Sequence, residues 1–161
     1  MRVLIQRVTQ SSLSIDYKIY SEIGQGLLVL IGICDTDLPE DIDYLVKKVS
    51  SLRIFDDENG VMNKSVLEIS AEVMVVSQFT LMANTKKGNR PSYIRASKSN
   101  ISKPLYEKFV ETLKDRLDST SSAILSNTSK VKTGVFGADM KINLINDGPV
   151  TIMIDSKQRE F

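Results

Sequence analysis

The sequence predicts an α+β fold: a mixed, mostly antiparallel and strongly curved sheet or β-roll with two helices on one side. Three observations carry this expectation. Both ends of the chain are rich in β-branched and apolar runs of strand length. Two stretches of helical periodicity lie between them. No internal repeat or domain boundary interrupts the 161 residues, enough for one ordinary core, so 1–161 reads as a single domain.

Taken in order, residues 2–10 (RVLIQRVTQ) read as a first strand. Residues 11–16 (SSLSID) alternate and read as a second, continuing past a turn near Asp16–Lys18 into IYSEI. Gly24 and Gly26 punctuate, and Leu27–Cys34 is a continuous apolar run, a central strand in which Cys34 is a small core residue. Asp37-Leu38-Pro39-Glu40 supplies a capping carboxylate, an early proline and acid in the first turn. Ile42, Leu45, Val46 and Val49 follow at helical spacing, so 39–51 is an amphipathic helix. Arg53-Ile54-Phe55 is a short strand, and Asp56–Gly60 a turn whose acids lack the ligand spacing of a calcium loop.

Glu72–Leu81 is read as a strand that begins in the buried run Val73–Val76 and ends in a polar cluster: Ser77, Gln78 and Thr80 around Phe79. Residues 82–100 form a long polar loop. A second helix begins at Ser102-Lys103-Pro104, with Leu105, Phe109, Val110, Leu113 and Leu117 on one stripe. The Ser/Thr-rich stretch 118–129 is a surface insertion with no core role. Lys130–Val135 and Met140–Ile145 are strands around Gly134-Val135-Phe136-Gly137. Asn146-Asp147-Gly148-Pro149 is a turn, and Val150–Ile154 is the last strand.

Composition narrows the chemistry. The chain is 42% hydrophobic and 25% charged with a net charge of +1, values of a soluble globular protein. No run has the length of a membrane span, and the start is too interrupted by charge for a signal peptide. One cysteine excludes a disulfide within the chain and fits a reducing, cytoplasmic setting. The chain has 0 histidines, which removes Ser-His-Asp and Cys-His catalysis and every histidine-based metal site. No metal or cofactor is expected. Chemistry must come from hydroxyls, lysines, carboxylates, backbone amides or the substrate.

Charge is unevenly spread. Val73–Tyr106 contains no Asp or Glu, yet holds Lys86, Lys87, Arg90, Arg95, Lys98 and Lys103, an anionic-partner signal beside the SQFT strand. Thr80 has no evident activating base and is a weak nucleophile at its ordinary pKa. Gln78 is suited to position a carbonyl or a water. The N–H groups of the Phe79–Thr80 bend could form an oxyanion hole without a titratable side chain. Gly148-Pro149 reads either as a hairpin turn or as a rigid cis dipeptide presenting its carbonyls to a ligand.

Four motifs in this order, Ser77-Gln78-Phe79-Thr80-Leu81, Lys87-Gly88-Asn89-Arg90-Pro91-Ser92, Gly134-Val135-Phe136-Gly137-Ala138-Asp139-Met140 and Asn146-Asp147-Gly148-Pro149-Val150-Thr151, resemble the D-aminoacyl-tRNA deacylase family, as does the opening MRVLIQRV. The resemblance covers nearly the whole chain, and the insertion at 118–129 departs from it. It implies sheet, sheet and helix layers. It implies hydrolysis of the ester between a D-amino acid and the 3′-terminal adenosine of tRNA, a chiral proofreading step in translation, and of glycyl-tRNA mischarged on tRNA-Ala. It also implies a homodimer with cross-subunit active sites and no DNA or membrane partner. Thr80 and Gln78 then act at the ester. Ser77, Phe79, Phe136, Ala138 and Met140 bind substrate, and Lys86, Lys87 and Arg90 bind tRNA. Gly148-Pro149, by similarity a cis bond, enters the pocket from the second subunit as a chiral gauge braced by Arg7. Two roles for Thr80 stand open: nucleophile, or positioning group while a ribose 2′-OH or a water attacks.

Overall fold

Strand β1 (Arg2–Ile15) is the spine of the sheet. The computed structural model describes residues 1–119 and 128–160. β1 pairs antiparallel with β3 (Gly26–Gly32) along its first half, with β2 (Lys18–Ile23) along its second, and with β8 (Lys141–Asp155) along both. The two segments expected as separate strands, 2–10 and 11–16, are therefore one. Their apolar alternation slips a position between Arg7 and Val8, which breaks the pattern but not the pairing. Asp16 and Tyr17, both at positive φ, make the two-residue turn into β2.

From β3 the sheet continues in parallel through β6 (Glu72–Ser77) to β7 (Val131–Thr133). The fold is thus α+β as expected, with a parallel segment inserted into a mostly antiparallel roll. One face carries the larger core. Val3, Ile5, Leu27, Val29, Ile31, Val73 and Val75 pack against Ile42, Leu45 and Val49 of α1 (Pro39–Ser51) and Phe109 and Leu113 of α2 (Ser99–Asp118). The sheet curls around a second core on its other face, where Val8, Leu13, Leu28, Met74 and Val76 meet Met140 and Ile142.

α1 has the expected bounds, but its capping carboxylate is Asp41, which accepts the N–H of Leu38 at 2.8 Å. Asp37 instead accepts the N–H of Cys34 and pairs with the Met1 ammonium. α2 starts at Ser99, three residues before the expected Ser102, and holds Pro104 inside its first turns rather than at its entry. Cys34 is half-buried with its sulfur 3.3 Å from Thr36 Oγ1, not a core residue, because β3 ends at Gly32.

The short strand expected at 53–55 starts two residues later, as β4 (Phe55–Asp56) paired with β5 (Met62–Lys64). Arg53 donates to the Asn63 carbonyl at 2.7 Å across this ribbon. The turn between them is closed by the Asp57 carboxylate, which accepts from the N–H groups of Asn59 and Val61 and from Asn63 Nδ2. Those donors hold the Asp57 carboxyl below the usual carboxylate range.

Two corrections bear on function. β6 stops at Ser77 instead of Leu81: Gln78 N–H still donates to the Ile31 carbonyl at 2.7 Å, but β3 ends at Gly32. Phe79–Met82 then turns into a 3-10 segment closed by Leu81 N–H to the Gln78 carbonyl. The segment at 146–149 is no hairpin turn. β8 runs through it, with Asn146 opposite Val8 and Thr151 opposite Gln6, so that residues 147–150 bulge opposite the single residue Arg7. A local reading sees Asn-Asp-Gly-Pro as a reversal; the long partner β1 keeps both flanks in one strand.

Of the expected insertion at 118–129, residues 120–127 lie outside the described residues. Asp118 ends α2, and its carboxylate accepts from Ser129 Oγ at 2.7 Å and Lys130 N–H at 2.8 Å. Among the described residues no helix is long and apolar enough to cross a membrane.

Candidate active site

The carboxyl ends of the parallel strands β3, β6 and β7 open onto a cavity of 430 Å³. Six residues expected in the site line it: Ser77, Gln78, Phe79, Phe136, Ala138 and Met140. Ile31, Ile33 and Val76 form its apolar floor, and Ser97, Ser99 and Ser102 flank it from the loop before α2 and the first turn of that helix. Strand ends make good site walls because the ladder fixes the backbone up to the last paired residue, while the next residues are free to turn.

Here the next residues are the 3-10 segment. Gln78 Nε2 donates to Thr80 Oγ1 at 2.5 Å. No lysine or carboxylate hydrogen-bonds Thr80 among the described residues, so its hydroxyl is oriented rather than deprotonated. The N–H groups of Phe79 and Thr80, at the opening of this turn, have no acceptor among the described residues. The one acid on the cavity wall, Asp139, is exposed and paired with Lys141 at 2.8 Å.

The turn is seated from beneath at three points. Gln78 N–H is tied to Ile31, as above. Gly32 lies so close that an added Cβ would sit 2.9 Å from Leu81 Cβ and 3.0 Å from the Gln78 carbonyl oxygen. Arg2 donates through Nη1 to the Leu81 carbonyl at 3.0 Å, while its Nε holds Asp155 at 2.7 Å. Burial works against the Asp155 charge, but Arg2 and the N–H groups of Lys157 and Gln158 outweigh it and hold the carboxyl below its ordinary range.

The opposite wall, 134–140, is shaped by Gly134, over which the Met140 side chain passes, and by Phe136, whose ring meets Tyr106 at 5.5 Å. Tyr106 donates to the Val75 carbonyl at 3.0 Å, and burial pushes its phenol far above the usual value, so it stays a neutral donor.

Arg7, Gly148 and Pro149 lie elsewhere on the same chain. Arg7 pairs with Leu27, four residues before Ile31 on β3, which places it roughly 13 Å along the strand from the pocket floor. Arg7 is only 6% exposed, and its guanidinium is shared among the Ile54 carbonyl at 2.6 Å, the Asp147 carbonyl and carboxylate at 3.1 Å each, and Asp56 at 3.4 Å. It braces the bulge from beneath, while Gly148 and Pro149 themselves are exposed and joined by a cis peptide bond. Lys86, Lys87 and Arg90 are exposed on the loop beyond the 3-10 turn.

Residues 4–155 match the family model described as D-Tyr-tRNA(Tyr) deacylase. The chain belongs to this family. A protein from Parabacteroides distasonis named D-aminoacyl-tRNA deacylase is 57% identical over 160 residues, 99% of this chain and 100% of that one. One of the same name from Flavobacterium psychrophilum is 58% identical over the same span. A solved structure described as c-Myc DNA Unwinding Element Binding Protein is 36% identical and superposes with a TM-score of 0.86, covering 96% of this chain and 98% of that one. Another, described as a probable eukaryotic D-amino acid tRNA deacylase, shares the fold at 20% identity with a TM-score of 0.78 over 95% and 97% of the two chains.

In this member of the deacylase family, four features of the site escaped the sequence. Gly32 hides at the end of an apolar run, and Arg2 looks like any surface charge on a terminal strand. Ser97 and Ser99 sit in a stretch too polar for two serines to stand out. Only contacts across the fold distinguish them. The one local signal is Ser102, a serine where the stripe of α2 turns inward, and by sequence it marks a helix start.

Proposed function

We propose that this chain hydrolyses the ester between a D-amino acid and the 3′-terminal adenosine of tRNA, releasing the free D-amino acid and tRNA, as chiral proofreading in the cytoplasm. The observation that carries the reading is the 3-10 turn. Its N–H groups at Phe79 and Thr80 have no acceptor among the described residues, and Phe79 lines the same cavity as Ser77, Gln78 and the 134–140 wall, with Thr80 the next residue in the turn. In the reaction a water oxygen adds to the ester carbonyl, either directly or after the neighbouring 2′-OH has taken over the acyl group and freed the 3′ oxygen as a hydroxyl. The negative charge on the carbonyl oxygen is held by those N–H groups. The bond to the ribose oxygen that carries the acyl group then breaks, and that oxygen takes up the proton given up by the water. The ester is already activated by its diol, so positioning and oxyanion stabilisation suffice. Thr80, held by Gln78, positions the substrate.

The whole chain acts as one domain, and two copies form the working unit. Gly148-Pro149 is exposed and away from its own chain's cavity, which supports its delivery to the cavity of a second copy. There the dipeptide excludes L side chains by clash; glycine has no side chain to exclude, so glycyl-tRNA is accepted. Lys86, Lys87 and Arg90 meet tRNA phosphates without reading sequence.

The deciding experiment is hydrolysis of matched D- and L-tyrosyl-tRNA with a metal chelator present. Fast cleavage of the D ester with negligible cleavage of the L ester is expected; equal rates would defeat the chiral reading. Thr80→Ala separates the two roles of that residue. Single-turnover hydrolysis within about tenfold of the unsubstituted protein is expected, whereas removal of a true nucleophile costs on the order of 10⁴–10⁶. A second reading, a nucleic-acid-binding module without catalysis, is favoured by the DNA-binding name of the 36% identical structure. It predicts binding without turnover, abolished by substituting Lys86, Lys87 and Arg90 and indifferent to Gly148.

A further inference from the structure

We propose that Phe79 and Tyr93 form a stacking platform for an unpaired nucleobase, the one immediately 5′ to the ester-bearing terminal nucleoside; this rests on the tRNA-ester reading above. The two rings meet edge to face, with centroids 5.1 Å apart and planes at 76°. That arrangement leaves ring faces uncovered, and Phe79 is 55% and Tyr93 39% exposed. Neither ring belongs to either core. Folding therefore does not account for them.

Tyr93 is nevertheless held firmly. Ser92 and Asn84 exchange two backbone hydrogen bonds of 2.9 and 2.8 Å, closing the loop 85–91 and planting Tyr93 at its base. The Tyr93 carbonyl accepts Ala96 N–H at 2.9 Å, and Ser97 N–H fastens the segment to the Ile33 carbonyl just past the end of β3. Phe79 lines the cavity; Tyr93 does not. The order outward is thus cavity, ring pair, then the basic loop with Lys86, Lys87 and Arg90.

Charge selects the occupant. An apolar peptide would gain nothing from a segment of 34 residues, 73–106, that carries cations and no acid. Lys86, Lys87 and Arg90 make no ion pair among the described residues. Aromatic faces followed by unneutralised cations bind single-stranded nucleic acid: each base offers a π-face and each phosphate a charge, with no preference for sequence. A single-stranded 3′ end leaving the cavity meets the rings first.

The test compares Tyr93→Ala and Tyr93→Phe on two substrates: D-tyrosyl-tRNA, and D-tyrosyl-adenosine ester, which has no nucleotide on its 5′ side. Tyr93→Ala should raise KM for the tRNA roughly tenfold more than for the adenosine ester, with kcat on both little changed, and Tyr93→Phe should restore it. An equal effect on both substrates, or none on the tRNA, overturns the platform. Binding of a labelled RNA oligonucleotide ending in CCA is measured alongside at fixed salt. If the unsubstituted protein cleaves neither ester, the deacylase reading has failed, and the platform is judged on this binding alone. A roughly tenfold weaker Kd for Tyr93→Ala but not Tyr93→Phe supports it, and an unchanged Kd overturns it.

Discussion

Gly32→Ala should lower kcat for D-aminoacyl-tRNA by on the order of 10²-fold while leaving the fold and the proposed dimer intact. Gly32 is not at positive φ, so alanine is acceptable to its backbone. The obstacle is what lies above it. The new methyl would sit 3.0 Å from the Gln78 carbonyl oxygen and 2.9 Å from Leu81 Cβ, both in the turn that presents Thr80 and the free N–H groups. Both are main-chain or first-carbon atoms, so no side-chain rotation relieves the contact. The turn must move by several tenths of an ångström, and reacting groups misplaced by about 1 Å can lose 10²-fold in rate. Circular dichroism checks the fold, gel filtration compares the assembly state with that of the unsubstituted protein, and single-turnover kinetics checks the rate. Arg2→Ala, which releases the Leu81 carbonyl, should also lower kcat, without adding volume. A folded Gly32→Ala protein with the unsubstituted rate would show that the turn is not the reacting element.

How far the site was legible follows from the range of the interactions involved. α1 was readable to the residue because its apolar spacing, Pro39 and first-turn acids all act within the segment. The buried run of β6 was readable for the same reason. The place where β6 ends was not, because β3 decides it by running out of partners at Gly32. Likewise Asn146–Pro149 carries every local mark of a reversal, and only pairing of both flanks to β1 makes it a bulge. The polar cluster at Ser77–Thr80 stands out in sequence, yet its setting at the ends of three parallel strands depends on the crossovers that bring β6 beside β3 and β7 beside β6. Motif residues were visible as a family resemblance; the contacts that seat them, Gly32 and Arg2 above all, carry no local pattern.

Gly148→Ala should abolish D-ester hydrolysis to below about one hundredth of the unsubstituted rate, from a place outside its own chain's cavity. Gly148 has φ +124°, a conformation L side chains rarely adopt. An added Cβ would also lie 2.8 Å from Val150 Cγ2 and 3.1 Å from Arg7 Nη2. Arg7 cannot yield easily, since its guanidinium is buried and committed to Ile54, Asp56 and Asp147. The bulge must therefore change shape, and with it the surface that Gly148 and Pro149 present. Two variants that fail for different reasons then test whether a site is shared between copies. In a mixed dimer of Gly32→Ala and Gly148→Ala subunits, one site combines both lesions. The other combines the intact cavity of the Gly148→Ala subunit with the intact bulge of the Gly32→Ala subunit. With random pairing half the dimers are mixed, and each has one good site of two, so co-expressed subunits should recover about a quarter of full activity under two-fold symmetry. If each site lay within one subunit, every site in the mixture would carry a lesion, and mixing would recover nothing.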